Sequence, residues 1–166
     1  MHPVPVLSGM TVDELGDYDV ARMEEEAIRG FLTSHSVGVL GLPADGAPSL
    51  RPMSFWFDGD SRLYLLYILG EQSRKAELTE RADSARFLVY SAETPFNWRS
   101  VLLTGELRPV PEGGLGPVRE ALENAWRPAV FEDLIAGDDA EVYELRISDR
   151  VGLEASGLPP AFETDK

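Results

Sequence analysis

The sequence predicts a mainly β domain with flanking helices, in which about six antiparallel strands form a small closed or partly open barrel. Three observations predict it. Apolar runs of strand length recur between turn signals such as Asp45-Gly46, Asp58-Gly59-Asp60 and Pro111-Glu112-Gly113-Gly114. Links of hairpin length between strands demand antiparallel pairing, because a parallel neighbour needs a long crossover. Two or three segments carry helical spacing, enough to cover such a barrel. A chain of 166 residues that is 43% hydrophobic suits one compact domain.

Residues 1–20 hold the breakers Pro3, Pro5 and Gly16 with four acids and no sustained period, which reads as an N-terminal extension. From Met23, the residues Met23, Ala27, Ile28, Phe31 and Leu32 recur at helical spacing. Glu24, Glu25 and Glu26 load the first turn, where the dipole favours negative charge, so an amphipathic helix is expected to end near His35. Ser36–Leu42, Pro48–Phe57 and Leu63–Leu69 read as a three-stranded meander, Gln72–Arg81 as a short helix and Ala85–Tyr90 as a fourth strand. After a loop at Thr94–Asn97, Trp98–Val110 is a long strand broken by Gly105, which inside a strand marks a bulge or a close backbone approach. Leu115–Trp126 has helical spacing, Phe131–Ile135 adds a further turn, and Glu141–Ile147 alternates as the last strand. The domain is therefore expected over residues 21–155, and Pro159-Pro160 lie in a flexible tail at 156–166.

Charge narrows the function. Against 29 Asp and Glu stand 15 Lys and Arg, a formal net charge of −14, which opposes binding to nucleic acid or anionic lipid. Thirteen of the cations are Arg, and Lys75 is the one internal lysine, since Lys166 ends the chain. Such a surface serves solubility, and replacing lysine this completely favours adaptation to high salt, where counterions screen self-repulsion. The absence of cysteine excludes disulfides, thiolate metal sites and thiol nucleophiles. With His2 and His35 the only imidazoles, no metal site is expected. No apolar run reaches 18 residues and the first residues lack a signal-peptide pattern, so a cytoplasmic location is expected.

The strongest chemical feature is Ser73-Arg74-Lys75 at the head of the second helix. A hydroxyl, a guanidinium and an ammonium join the free N–H groups of a helix start, where cations are electrostatically misplaced unless an anion sits there. This describes a phosphate site. In Arg51-Pro52-Met53-Ser54-Phe55-Trp56-Phe57 the aromatics suit a packed face, whereas Arg51 and Ser54 need polar partners. Trp98-Arg99-Ser100 joins a flat apolar surface to a planar cation, a pairing found at interfaces and on planar ligands.

From about Met23 to Ile147 the chain resembles the pyridoxamine 5′-phosphate oxidase-like proteins with the FMN-binding split barrel, nearest their small nitroimidazole-reductase-like members. The resemblance rests on the strand order, Arg51-Pro-Met-Ser-Phe with Asp58-Gly59, Leu63-Tyr64-Leu65, Ser73-Arg74-Lys75-Ala76 and Val101-Leu102-Leu103-Thr104-Gly105-Glu106. It implies a six-stranded antiparallel split β-barrel binding FMN at a homodimer interface. Ser73, Arg74 and Lys75 would grip the flavin phosphate with Arg51 near it, and Met53, Ser54 and Phe55 would lie along the isoalloxazine largely through backbone groups. Leu65 and Leu66 would line the same cleft, and Trp98, Arg99 and Ser100 would reach it from the other subunit.

The family's phosphate oxidases also carry a C-terminal segment with Arg and His, whereas Arg146-Ile-Ser-Asp-Arg150 here runs on without His. The expected function is thus an FMN-dependent oxidoreductase moving hydride or electrons from a reduced nicotinamide to a small organic acceptor, with no acid–base residue required. Arg51 and Arg99 would stabilise negative charge on the reduced flavin, and His35 is read as a helix-end residue. The alternatives are a flavin store or sensor without turnover, a deazaflavin-dependent reductase and, last, a haem protein, for which His35 is the one plausible axial histidine.

Overall fold

A computed structural model describes residues 20–68, 74–114, 116–123 and 140–156. The strands β1 (Val20–Arg22), β2 (Val37–Leu42), β3 (Ser49–Phe57), β4 (Arg62–Ile68), β5 (Ala85–Thr94), β6 (Asn97–Pro109) and β7 (Ala140–Ser156) alternate with three helices. These are α1 (Glu25–Ser34), α2 (Arg74–Arg81) and α3 (Gly116–Glu123). Six strands pair antiparallel in the order β7-β4-β3-β2-β5-β6, and β6 pairs back onto β7, which closes the barrel. The expected fold is the one observed. The N-terminal extension up to Asp19, the tail beyond Ser156 and the turn expected at Phe131–Ile135 lie outside the described residues.

Strand alternation fills the interior. Leu40, Met53, Phe55, Leu63, Leu65, Tyr67, Phe87, Val89, Val101, Leu103 and Leu145 are buried there, with Phe55 set edge-on to Phe87 at 5.3 Å. Helix α1 covers the core with Ile28, Phe31 and Leu32, while Glu25 and Glu26 occupy its favourable first turn. Arg150 fastens this cover: its Nη2 donates to the Asp60 carbonyl at 2.8 Å and its Nη1 lies 3.7 Å from the Glu25 carboxylate. The β3–β4 turn is built by Asp58, whose Oδ1 accepts from the N–H groups of Asp60, Ser61 and Arg62 at 2.8, 3.0 and 3.1 Å.

Three elements depart from the sequence pattern. β1 adds three residues to the C-terminal half of β7, with Val20 opposite Ala155, inside a segment whose composition reads as loop. β5 continues to Thr94, so that the expected loop shrinks to a tight turn at Pro95-Phe96. β7 runs to Ser156 rather than Ile147, although Ser148–Ser156 carries three charges and a glycine. Gly152 has a packing reason, since a Cβ there would lie 2.8 Å from the side chains of both Met23 and Ile28. A helix can therefore cross close over the strand.

Gly105 shows both features that its position predicts. The β6–β7 register steps from Thr104 opposite Asp149 to Gly105 opposite Ile147, which makes Ser148 the extra residue, and Ser148 Oγ donates to the Thr104 carbonyl at 3.1 Å. A Cβ on Gly105 would overlap the Arg146 carbonyl oxygen and lie 2.8 Å from its carbon. Because that neighbour is backbone, Gly105→Val is expected to lower stability by about 1–3 kcal/mol, read as a lower urea midpoint. Wild-type stability in that variant would refute the close approach.

Tyr67 gives a pH prediction. Its ring stacks on Tyr143 at 4.2 Å and its hydroxyl hydrogen-bonds Thr79 Oγ1 at 2.9 Å, joining β4, β7 and α2. Burial pushes the hydroxyl up to about 12, against the smaller opposing effect of the Thr79 bond. An unfolded tyrosine ionises near 10, so above that pH the unfolded chain sheds a proton that the folded one keeps. The stabilisation is complete below about pH 10 and falls by about 2–3 kcal/mol as the pH rises toward 12. Urea midpoints from about pH 9.5 to 11.5 should fall less steeply in Tyr67→Phe than in wild type.

Candidate functional site

β3 changes neighbour partway along its length. Ser49–Ser54 pairs with β2, whereas Phe55–Phe57 pairs with Leu65–Leu63 of β4. On its other edge β4 pairs with β7 along its whole length, from Arg62 with Arg146 to Ile68 with Ala140, so Leu66–Ile68 keep β7 as a neighbour but have no partner on β3. Among the described residues the barrel is thus split between Arg51–Ser54 and Leu66–Ile68, and the chain leaving β4 leads to α2, which opens on Arg74. The Tyr67–Thr79 hydrogen bond anchors that helix against the end of β4.

The expected site residues fall into three groups. Met53, Phe55 and Leu65 point into the barrel, so their side chains are core and what they can offer a ligand is backbone. Arg51 is exposed on the β3 stretch beside the split. Ser54 is half-buried opposite Val37, and Leu66 lies on the outer face, packed with Trp56 and Tyr64 against Val118 of α3 and Val142. Ser73 lies outside the described residues, and of Arg74 and Lys75 the structure describes the helical backbone at the start of α2.

Trp98, Arg99 and Ser100 begin β6. Trp98 and Ser100 are half-buried, and Arg99 Nε lies 3.5 Å from Glu154 Oε2 with both side chains partly in solvent. Such an exposed pair contributes little stability. In the sheet β6 lies three strands from β3, about 14 Å at the usual strand spacing, so a single chain keeps these residues away from the split.

Between them, the outer face of β3, β2, β5 and β6 carries an apolar stretch edged by the exposed Arg86. Leu50 is 61% exposed, Tyr90 59% and Val37 38%. One groove of about 450 Å³ runs over Val39, Leu50, Leu88 and Leu102, and another of about 440 Å³ over Leu88, Tyr90, Ala92 and Trp98 to Ser100.

Sequence reasoning missed one buried charge. Glu144 is 7% exposed, held by Arg146 Nε at 2.7 Å and Arg62 Nη1 at 3.5 Å. The alternation in Glu141–Ile147 assigns it to the face opposite the core, but α3 and its neighbours cover that face, so the carboxylate needs both guanidinium partners. His35 is the helix-end residue expected: its Nδ1 donates to the Phe31 carbonyl at 2.7 Å, closing the last turn of α1. No helix among the described residues is long and apolar enough to cross a membrane.

No curated protein matches this sequence. The fold recurs in an FAD-binding protein from Mesorhizobium loti, with a TM-score of 0.65 at 21% identity over 82% of this chain and 99% of that one. An FAD and haem binding protein from Mycobacterium smegmatis gives 0.63 at 16% identity over 85% and 75% of the two chains. A protein assigned to 5-nitroimidazole antibiotic resistance from Bacteroides thetaiotaomicron gives 0.59 at 13% identity over 81% and 87%. At such identities the likeness establishes the fold, not the ligand. Residues 24–152 match the sequence profile of the pyridoxamine 5′-phosphate oxidase family, a stretch that runs from the N-cap of α1 through the split to Gly152 in β7. By that match and by its barrel, the chain belongs to the pyridoxamine 5′-phosphate oxidase-like family.

Proposed function

We propose that this protein binds FMN at a site shared by two copies of the chain and acts as an oxidoreductase, passing hydride or electrons from a reduced nicotinamide to a small organic acceptor. The observation that carries the reading is the split between β3 and β4, where β4 ends at Ile68 and the next described element is a helix headed by Arg74 and Lys75. Two cations in a first turn, with Arg51 exposed on the nearby strand, fit a phosphate monoester received by the helix N–H groups. Backbone of β3 beyond the β4 pairing offers an edge to a flat ring system. The flavin, when bound, supplies reversible two-electron chemistry, while the chain binds it, orients it and shields it from water.

Self-association is supported by the outer face. Leu50, Tyr90 and Val37 make an exposed apolar patch with grooves along it, the kind of surface that marks an interface. A second copy seated there supplies what one chain cannot, Trp98, Arg99 and Ser100 beside its partner's split. FAD is the second reading for the cofactor, favoured by the two fold relatives that bind it. The same phosphate-binding helix head would hold the riboflavin-linked phosphate of either molecule.

Purified protein is expected to be yellow, with absorption at about 450 nm, and to release its cofactor on denaturation, when mass spectrometry separates FMN from FAD. A colourless preparation that takes up neither rejects the flavin reading. Arg74→Ala with Lys75→Ala should weaken flavin binding by about 1.5–3 kcal/mol for each charged hydrogen bond lost, and unchanged affinity removes the phosphate assignment. Light scattering should give twice the mass of one chain, and Leu50→Glu with Tyr90→Glu should halve it and reduce flavin affinity. A monomer that holds flavin tightly contradicts the shared site.

A further inference from the structure

We propose that a second pocket, built by a single chain between the end of α1 and the β5–β6 hairpin, binds small planar molecules rich in N–H donors, neutral or cationic, such as amidines and amino-heterocycles. The cavity holds about 290 Å³, at the small end of ligand sites, which suits one ring with its substituents rather than a whole flavin. Its walls are flat. The Phe31 and His35 rings touch at a tilt of 36° with centroids 4.0 Å apart, and Trp98 lines the pocket half-buried.

The polar chemistry of the lining is that of an acceptor. The Phe31 carbonyl can only accept, so the 2.7 Å contact puts the proton of the neutral imidazole on Nδ1 and leaves Nε2 with its lone pair. Glu93 uses Oε2 to accept from Asn97 Nδ2 at 2.9 Å, which holds the carboxylate in place and leaves Oε1 for a ligand. Arg99 is the one cation in the lining, and its Nε lies 3.5 Å from Glu154 outside the lining, a pair that offsets its charge and leaves Glu93 as the carboxylate of the pocket. An anion meets the Glu93 carboxylate and an arginine already paired to Glu154, whereas an N–H donor meets both a carboxylate and an imidazole acceptor.

The proposal does not need the flavin reading, since every group in the pocket comes from one chain. It shares Trp98 and Arg99 with the segment offered to the partner's split, so a ligand here lies alongside the place where the flavin would be reached.

The test uses three probes of one shape: benzamidine, benzamide and benzoate. They are titrated at low ionic strength into the purified full-length protein while the Trp98 indole N–H, the Asn97 side-chain amide and the His35 ring are followed by NMR. Benzamidine should bind saturably with shifts at these groups, at least about tenfold more tightly than benzoate, with benzamide between them. Glu93→Gln keeps the shape and removes the charge, and should weaken benzamidine about tenfold; His35→Phe keeps the ring contact, removes Nε2 and should weaken it about threefold. Thermal melts of both variants check that they fold. Benzoate binding as well as benzamidine, benzamidine affinity unaltered in Glu93→Gln, or no saturable shift with any probe would overturn the proposal. Flavin uptake is measured on the same samples: loss of flavin binding with benzamidine retained strikes the flavin reading alone, and the converse strikes this pocket alone.

Discussion

One strand with two partners governs this molecule. β7 pairs with β4 over its first half and with β6 along nearly its whole length, and that double pairing turns a sheet with two raw edges into a barrel. Closure fixes which side chains face inward, and among the described residues the inward set is a continuous cluster of bulky apolar side chains. The strand can serve both partners because it bends where Ser148 is inserted, at the point where Gly105 lets the β6 and β7 backbones touch. The bulge also reverses the alternation, so that Tyr143 and Leu145 face the core before it while Gly152 lies beneath α1 after it.

A filled barrel sends function to the places where strand pairing stops. One is the split where β4 leaves β3; the barrel's exterior adds the outer face of β2 and β5 and the end covered by α1. Each has its own chemistry. The split lies beside the exposed Arg51, the outer face carries exposed apolar side chains, and the covered end offers acceptors with one paired arginine. Ligand specificity in such a fold follows from local charge and from which pairing is interrupted, which is why relatives with the same barrel can hold different molecules.

In a chain with so large an excess of carboxylates, the arginines carry the architecture. Arg62 and Arg146 together make the burial of Glu144 tolerable, since an unpaired carboxylate there would carry a desolvation cost of several kcal/mol. Arg150 reaches from β7 to the β3–β4 turn and to α1, joining segments far apart in sequence. Replacing arginine by lysine would lose the planar fork that lets one side chain hold two such partners, and the near absence of internal lysine is consistent with that demand.

The sequence by itself determined the class of fold, the order of strands and helices, the meander from Val37 to Ile68 and the family, because alternation, turn residues and helix-start charges are local signals that survive without a partner. It also marked Gly105, since a glycine amid β-branched neighbours is anomalous on any reading. Only the tertiary structure decided the rest. β1 and the second half of β7 carry no apolar period that stands out; they are strands because each lies beside an edge that needs hydrogen bonds. Met53 and Leu65 were legible as strand residues but not as core, whereas the packed face of Phe55 was legible; Trp98 to Ser100 were legible as a binding segment, but their place three strands from the split was not. Face and distance belong to the register and closure of the sheet, which long-range pairing sets and no local run of residues encodes.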